Sequence, residues 1–366
     1  MICLEANPLQ FDIQKMEEPI YTGIWGQCHI QGITVDLKGG FIYYSFTTKL
    51  IKAKLDGEIV GSVDGLIGHM GCIAFNEEDG CVYGSLEYKN DAICRRVLER
   101  IQVKTELPNA FYIVKFDVSK IDRMDMSAEE SGIMKAVFLQ EVLDDFNGSG
   151  VNASGEVVQR KYGCSGIDGI TFAPLPGAEK NSKKHLFVAY GIYNDVTRND
   201  NNHQILLCYD HRDWDQYATA LKQTQMHTNG PEKPLHKYFV YTGNTRYGVQ
   251  NLEYDPYTDS LLMAVYAGKK EEFPNFSLFC VDRTVSPSVK IFTGLEESGC
   301  TLTLKYDGWH FPYGATGLYA FGDGNWLISH DMQTNNGQCG YIYPYHWDET
   351  HPFTCYITTE KQKTAE

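Results

Sequence analysis

The stretch Tyr241-Thr-Gly-Asn-Thr-Arg-Tyr-Gly-Val-Gln-Asn-Leu-Glu-Tyr-Asp-Pro-Tyr-Thr-Asp-Ser-Leu-Leu-Met-Ala-Val-Tyr266 decides the fold, because it holds the clearest copy of a unit that recurs along the chain. Within it, an alternating strand from Leu252 to Tyr254 runs into the polar turn Asp255-Pro-Tyr-Thr-Asp259. A second apolar strand, Leu261 to Tyr266, leaves that turn. Two such strands on either side of a turn rich in Pro and Asp predict a β-hairpin.

The same pattern recurs at five positions along the chain. Its first strands are Gly32-Ile-Thr-Val-Asp36, Cys72-Ile-Ala-Phe-Asn76, Gly169-Ile-Thr-Phe-Ala173, Asn251-Leu-Glu-Tyr-Asp255 and Gly317-Leu-Tyr-Ala-Phe321. The second strands, each after a polar turn, are Phe41 to Ser45, Cys81 to Ser85, Leu186 to Tyr190, Leu261 to Tyr266 and Trp326 to Ser329. Third apolar strands follow and end on Asp56, Asp117, Asp210, Asp282 and Asp348. Recurrence of these landmarks in one order indicates a repeat architecture.

The spacing of the repeats predicts which architecture this is. Consecutive aspartates lie between 61 residues (56 to 117) and 93 residues (117 to 210) apart, which leaves room for a fourth strand in every unit. Four-stranded repeats of about 40–50 residues are typical of propeller blades. The chain therefore resembles the β-propeller superfamily, and the resemblance implies an all-β fold with five four-stranded blades. The long interval between Asp117 and Asp210 contains no complete sixth unit.

The blades are expected to form a single domain over residues 1–366. Their approximate bounds are 32–68, 72–165, 169–247, 251–313 and 317–360, with an N-terminal strand within 18–28. Tyr21-Thr-Gly23 matches Tyr241-Thr-Gly243, so the N-terminal strand is predicted to complete the last blade and close the ring. Apolar residues at helical spacing within 90–101 predict a short helix inserted in blade two. A second short helix is predicted from Trp214 to Leu221.

Composition excludes several classes of protein. The formal net charge of −15 argues against a nucleic-acid surface, since phosphate contacts need clustered Lys and Arg. No apolar run is close to the length of about 18 residues that a membrane-spanning helix needs. The N-terminus contains no recognisable secretion signal. Eleven cysteines without paired spacing favour a reducing compartment, by default the cytoplasm. The expected partner is a small polar molecule or a carbohydrate, with neither nucleic acid nor a membrane.

One face of the central channel is the expected location of a functional site. Residues just before each first strand and just after each second strand converge there, where propellers bind ligands. The predicted catalytic acids in this ring are Glu87, Asp168, Asp195 and Asp331. The predicted substrate-binding residues are His29, Gln31, His69, Gln250, Asn251, Tyr266, Tyr313 and His330.

Each of these residues also has a structural interpretation. His29 and His69 could bond the backbone of a neighbouring strand, or they could bind a metal ion together with Asp168. Asp168 could cap a turn, and Glu87, Asp195 and Asp331 could be solvated loop acids. Aromatic side chains such as Tyr266, Tyr313 and Trp25 could stack on sugar faces.

Three functional hypotheses follow. In outline, the ring of acids resembles five-bladed furanosidases and related glycoside hydrolases, which implies a hydrolase that acts on a carbohydrate or small polar metabolite. The second hypothesis is a metal-dependent lactonase or phosphoesterase with a divalent metal as cofactor, since Asp168, Gln250, Asn251 and Asp195 partly resemble the cation site of six-bladed lactonase-like propellers. The third is a non-catalytic scaffold, for which an apolar channel mouth is expected.

Overall fold

The structure, a computed structural model, describes residues 11–292, 295 and 297–357. Strands account for most of the regular structure. They are β1 Ile20–Tyr21, β2 Ile30–Asp36, β3 Phe41–Phe46, β4 Lys49–Lys54, β5 Ile59–Asp64, β6 His69–Asn76, β7 Cys81–Tyr88, β8 Ala110–Phe116, β9 Met126–Ser127, β10 Met134–Phe138, β11 Ser149–Val151, β12 Val157–Gln159, β13 Cys164–Pro174, β14 Lys184–Ile192, β15 His203–Tyr209, β16 His236–Tyr241, β17 Thr245–Asp255, β18 Ser260–Ala267, β19 Leu278–Asp282, β20 Ser288–Ile291, β21 Ser298–Thr301, β22 Leu318–Ala320, β23 Asn325–Thr334, β24 Gly337–Trp347 and β25 Phe353–Cys355.

Helices are few and short in the described part of the chain. The α-helices are α1 Ala92–Arg100 and α2 Gln140–Asn147, and 3₁₀ turns occur at Ile13–Lys15, Val118–Lys120, Lys161–Gly163 and His211–Gln216. Helix α1 confirms the insertion that the sequence predicts in blade two, with Asp91 accepting a hydrogen bond from the Cys94 amide as its N-cap. None of the helices described is long and apolar enough to span a membrane.

Five mainly antiparallel sheets form the blades and confirm the five-bladed propeller. Their strand orders are β2-β3-β4-β5 with β9, β6-β7-β8-β10, β13-β14-β15-β16 with β21 and β20, β17-β18-β19, and β22-β23-β24-β1 with β25. The inner strands β2, β6, β13, β17 and β22 contact one another in that order, and β22 contacts β2. In blade four, isolated bridges from Leu278 to Trp309 and from Val281 to Leu304 take the place of a regular outer strand.

The ring is closed by the N-terminal strand, as predicted. In β1, Ile20 pairs with Ile342 and Tyr21 with Tyr341 of β24. The Thr22 amide donates to the Gly340 carbonyl at 3.0 Å, and the Gly340 amide donates to Thr22 Oγ1 at 2.8 Å. The first and last parts of the chain thus share one sheet, which removes a free edge.

The core lies between neighbouring blades, where apolar faces of adjacent sheets meet. Five apolar clusters occupy these interfaces, and they contain most of the large buried side chains, among them Trp326 and Phe187. The described residues include ten cysteines, which form no disulfide with one another, and eight of them are buried. Those placed inside strands pack as small apolar side chains.

One segment differs from its sequence-based expectation, and a second agrees with it. The predicted helix from Trp214 to Leu221 is wrong: the chain forms a 3₁₀ turn over His211–Gln216, which Asp210 caps by accepting from the Arg212 amide. The long interval between Asp117 and Asp210 contains β9, β10, α2 and the β11–β12 hairpin. It completes blades one and two and holds no sixth blade.

Candidate functional site

A cavity of about 310 Å³ opens at the end of the channel where the inner strands begin. Blades one to four and helix α1 contribute its walls, and most of its lining is polar or charged. It is lined by His29, Gln31, Thr47, His69, Glu87, Lys89, Ile93, Arg96, Val97, Arg100, Ser165, Asp168, Arg246, Tyr247, Gln250 and Tyr266. A second cavity, of about 410 Å³, lies where the inner strands end and includes Glu253 and Tyr319.

Three titratable side chains from two blades meet at the floor of the first cavity. One donor atom each from His69, Glu87 and Asp168 lies within 4.8 Å of the others. His69 Nδ1 is 3.5 Å from Glu87 Oε1 and 3.7 Å from Asp168 Oδ1, both too long for strong hydrogen bonds. Among the described residues, neither His69 Nδ1 nor Asp168 Oδ1 has a hydrogen-bond partner, although both atoms are buried.

Lys89 supplies a buried positive charge beside this cluster. Its ammonium group forms an ion pair with Glu87 Oε1 and donates to the Ser165 carbonyl at 2.6 Å. The other oxygen of Glu87, Oε2, accepts from the Ile167 amide at 3.0 Å. Both oxygens of Glu87 are therefore bonded within the protein.

Burial sets the protonation of the cluster. Burial and the nearby charges of Lys89 and His29 lower the pKa of His69 to about 3, so the imidazole is neutral. Burial raises the pKa of Glu87 to about 7, because the adjacent Lys89 offsets only part of the lost hydration. Burial and then the charge of Glu87 raise the pKa of Asp168 well above its usual range, so this carboxyl keeps its proton to a higher pH than an ordinary aspartic acid.

Amide side chains hold the cluster in position. Gln250 donates to Asp168 Oδ2 at 3.1 Å and to the Tyr247 carbonyl at 2.9 Å. Gln31 Nε2 donates to Thr47 Oγ1 at 2.9 Å and lies 3.3 Å from His69 Nε2. Gln250 thus holds Asp168 through Oδ2, and Gln31 contacts His69 through Nε2, while the unpartnered atoms Asp168 Oδ1 and His69 Nδ1 lie 3.7 Å apart.

The mouth of the cavity is built by α1 and by a bulged part of β17. In α1, Arg96 and Arg100 follow one another by one turn on the face that also carries Val97. In β17 the strand register shifts between Arg246 and Val249, and Tyr247 has a left-handed φ of 66°. That conformation costs a bulky residue on the order of 1–3 kcal/mol and is typical of functional sites, as are bulges that redirect side chains.

The structure brings seven of the predicted site residues into this cavity. They are His29, Gln31, His69, Glu87, Asp168, Gln250 and Tyr266. His29 Nδ1 lies 2.7 Å from the carbonyl of Ile30, the next residue in the chain and not part of a neighbouring strand. Their functional roles stay predictions.

The other five predicted residues do not line the cavity. Asp195 turns back on its own loop and accepts from the amide and hydroxyl of Thr197. Asp331 is exposed along β23. His330 stacks on Tyr313 with ring centroids 3.4 Å apart, and Asn251 is buried in the channel, where it donates to the carbonyls of Gln31 and Ala315.

Five charged or aromatic lining residues are absent from the predicted catalytic and substrate-binding residues: Lys89, Arg96, Arg100, Arg246 and Tyr247. The sequence does contain a signal for two of them. Ile93, Arg96, Val97 and Arg100 follow the i, i+3, i+4, i+7 pattern of a single helix face. The position of Arg246 depends on the bulge in β17, which strict alternation does not reveal.

Comparisons with known proteins identify no family. No family model and no curated protein matches the chain. Among solved structures, it is similar to a β-1,3-galactosidase of glycoside hydrolase family 43 with galactodeoxynojirimycin (TM-score 0.41, 9% identity, 92% of this chain and 97% of that chain). It is also similar to a functionally unknown protein from Desulfotomaculum acetoxidans (TM-score 0.34, 9% identity, 89% and 68%) and to the PQQ domain of a pyranose dehydrogenase from Coprinopsis cinerea (TM-score 0.34, 11% identity, 85% and 81%).

Proposed function

We propose that this protein is a hydrolase that acts on a carbohydrate or a small polar metabolite by acid catalysis in the first cavity. The observation that carries the proposal is the pair of unpartnered buried atoms, His69 Nδ1 and Asp168 Oδ1, 3.7 Å apart on the cavity floor. Buried polar atoms are rarely left without a partner, because the loss of hydration is costly. A ligand oxygen about 3 Å from each atom would complete both hydrogen bonds at once.

In this proposal Asp168 is the general acid. Burial and the neighbouring Glu87 favour its protonated form, so it can give a proton to the leaving oxygen of the substrate while a water molecule adds to the atom that this oxygen leaves. The proton that the water loses restores the acid form of Asp168. Neutral His69 orients that oxygen. Glu87 has both oxygens bonded by Lys89 and Ile167, so it acts through its charge on Asp168 and is not the nucleophile.

The proposal extends to the cellular context of the protein. A reducing compartment such as the cytoplasm fits ten described cysteines that form no disulfide. Charged side chains at the mouth favour a small polar substrate over the apolar contact that the scaffold hypothesis expects. Neither nucleic acid nor a membrane is proposed as a partner.

The test is a hydrolysis screen with aryl glycosides, lactones and aryl phosphates. We expect turnover of one class, and we expect Asp168→Asn to lower kcat/KM about 10²- to 10⁴-fold, the usual contribution of a general acid. Asp331→Asn, which changes an exposed acid outside the cavity, is the matched control and should retain activity. The rate should fall as the pH rises through the raised pKa of Asp168, because the acid form is then lost. Turnover that is equal in the two variants would remove Asp168 from this role.

A second candidate is the metal-dependent hydrolase, which is favoured by the three donor atoms within 4.8 Å of one another. Lys89 weakens this candidate, because its ammonium group already occupies the side of Glu87 Oε1 that a cation would need. Elemental analysis of the purified protein after incubation with Zn²⁺, Mg²⁺ and Ca²⁺ separates the two candidates. A stoichiometric metal that is lost in His69→Ala would favour the metal-dependent enzyme.

A further inference from the structure

We infer that the ligand of the first cavity carries an anionic group, a carboxylate or a phosphate, and that Arg246, Arg96 and Arg100 bind it. The inference depends on the proposed function in one respect only: the ligand is a substrate if the protein is a hydrolase. It concerns the mouth of the cavity, while the proposed acid catalysis concerns the floor.

The first observation is an excess of positive charge in the cavity of an acidic protein. Its lining contains four basic side chains that stay charged at neutral pH and only two acidic ones. Lys89 and Glu87 form an ion pair with each other, so the three arginines at the mouth face Asp168 alone. The chain as a whole has a formal charge of −15, and this local reversal of sign therefore stands out against the rest of the molecule.

The second observation is that these arginines have no acidic partner. Elsewhere in the described chain, four arginines form ion pairs with aspartates: Arg123, Arg198, Arg212 and Arg283. Arg95 donates to Asn90, and Arg160 stacks over Phe146. No described carboxylate lies within ion-pair distance of Arg96, Arg100 or Arg246. Guanidinium groups bind carboxylates and phosphates through paired hydrogen bonds, so three of them at one mouth match such a group.

The third observation is the backbone that presents Arg246. Its neighbour Tyr247 is in the left-handed region, and the following Gly248 has a φ of 70°. A side chain at Gly248 would lie 2.4 Å from the Tyr190 carbonyl, so only glycine permits this close approach. The guanidinium of Arg246 donates to the Tyr247 hydroxyl at 3.3 Å and lies 5.0 Å from its ring centroid. The bulge therefore places an oriented guanidinium at the cavity.

The inference is tested by comparing how tightly charged and neutral small molecules bind to the protein. Binding of D-glucuronate, D-glucose 6-phosphate, inorganic phosphate and neutral D-glucose is measured by titration calorimetry at one ionic strength. We expect at least one anion to bind about tenfold or more tightly than glucose, which corresponds to about 1.4 kcal/mol. The glucuronate and phosphate arms separate a carboxylate from a phosphate as the recognised group.

Arginine variants then locate the binding. Arg246→Gln and the double variant Arg96→Gln/Arg100→Gln should each weaken anion binding about tenfold and leave glucose binding unchanged. Arg95→Gln is the matched control, because Arg95 lies on the same helix and does not line this cavity. Thermal melts show whether each variant is folded. Equal binding of charged and neutral sugars, an equal loss in Arg95→Gln, or no anion binding up to about 10 mM would each overturn the inference.

Asp168→Asn separates this inference from the proposed function. Anion binding that depends on the arginines and survives in Asp168→Asn supports the inference even if no substrate of the wild-type protein is hydrolysed. Hydrolysis of neutral substrates that requires Asp168 but is indifferent to the arginines supports the proposed function and overturns the inference.

Discussion

Lys89 is the residue on which the electrostatics of the cavity floor depend. The side chain is almost fully buried. Its ammonium group forms an ion pair with Glu87, donates to the Ser165 carbonyl and lies 3.8 Å from a carboxylate oxygen of Asp91. Burial alone would lower the pKa of Lys89, but Glu87 acts together with Cys94, Asp91 and Tyr193 to outweigh burial and to raise that pKa well above its usual range. Each member of the pair thus favours the charged form of the other, although burial still leaves the pKa of Glu87 at about 7.

We expect Lys89→Met to lower the free energy of unfolding by about 3–5 kcal/mol, because it leaves Glu87 buried without its counter-charge. The double variant Glu87→Gln/Lys89→Met removes both charges and should recover most of that loss. Urea denaturation at neutral pH measures both values. Equal stability of the single and the double variant would show that the pair contributes no coupling energy.

At the scale of single elements, β13 shows how a strand makes room for the site. Its register against β14 shifts between Cys164 and Gly166, and Gly166 has a φ of 115°. A β-carbon on Gly166 would lie 1.9 Å from Glu87 Oε2, so the bulge brings bare backbone against the buried carboxylate.

Gly166→Ala should therefore displace Glu87 from Lys89 and lower the free energy of unfolding by about 2 kcal/mol or more. Gly155→Ala is the control, since Gly155 also has a left-handed φ, of 81°, but a β-carbon there meets no atom within 4 Å. Its loss should be about 1 kcal/mol, from backbone strain alone. Chemical denaturation compares the two, and equal losses would mean that the contact with Glu87 is unimportant.

The elements also show which parts of the structure the sequence could predict. Hairpins depend on local alternation and turn chemistry, so the two strands on either side of the turn from Asp255 to Asp259 follow directly from the sequence. β13 and β17, however, begin at Cys164 and Thr245, well before the predicted Gly169 and Asn251, because their bulges interrupt the alternation.

A site residue could be predicted from the sequence where its strand ends at the same position as the corresponding strands of the other blades. Glu87 and Asp168 lie at regular positions in blades two and three and both reach the cavity. Asp331 does not, because the hairpin of β23 and β24 continues to Thr334 and carries this residue along its length. Asp195 is held in its own turn by a hydrogen bond from Thr197. Such local side-chain bonds cannot be predicted from the position of a residue in the repeat.

At the scale of the whole molecule, closure of the ring depends on β1, a strand of only two residues. Ile20→Ala should lower the free energy of unfolding by about 2–5 kcal/mol, since Ile20 is buried in the closure between blades. Ile291→Ala provides the same chemical change in edge strand β20, where the side chain is 78% exposed, and should change stability by less than about 0.5 kcal/mol. Thermal or urea unfolding of the two variants checks this difference.

Removal of the first two dozen residues should abolish cooperative unfolding altogether, because blade five then loses its pairing with β1. Near-UV circular dichroism of the truncated protein gives the readout. A truncated protein that melts like the wild type would contradict the structural importance of this closure.

The pairing of Ile20 with Ile342 also determines when, during synthesis of the chain, the ring can close. A ribosome adds about 5 to 20 residues per second, so the 322 residues between these partners (342 minus 20) take roughly 15 to 60 seconds to follow. Throughout that interval the nascent chain holds an early strand whose partner has not yet been translated. The ring can close only after β24 has been synthesised, so the pairing of β1 with β24 forms long after β1 itself has been made.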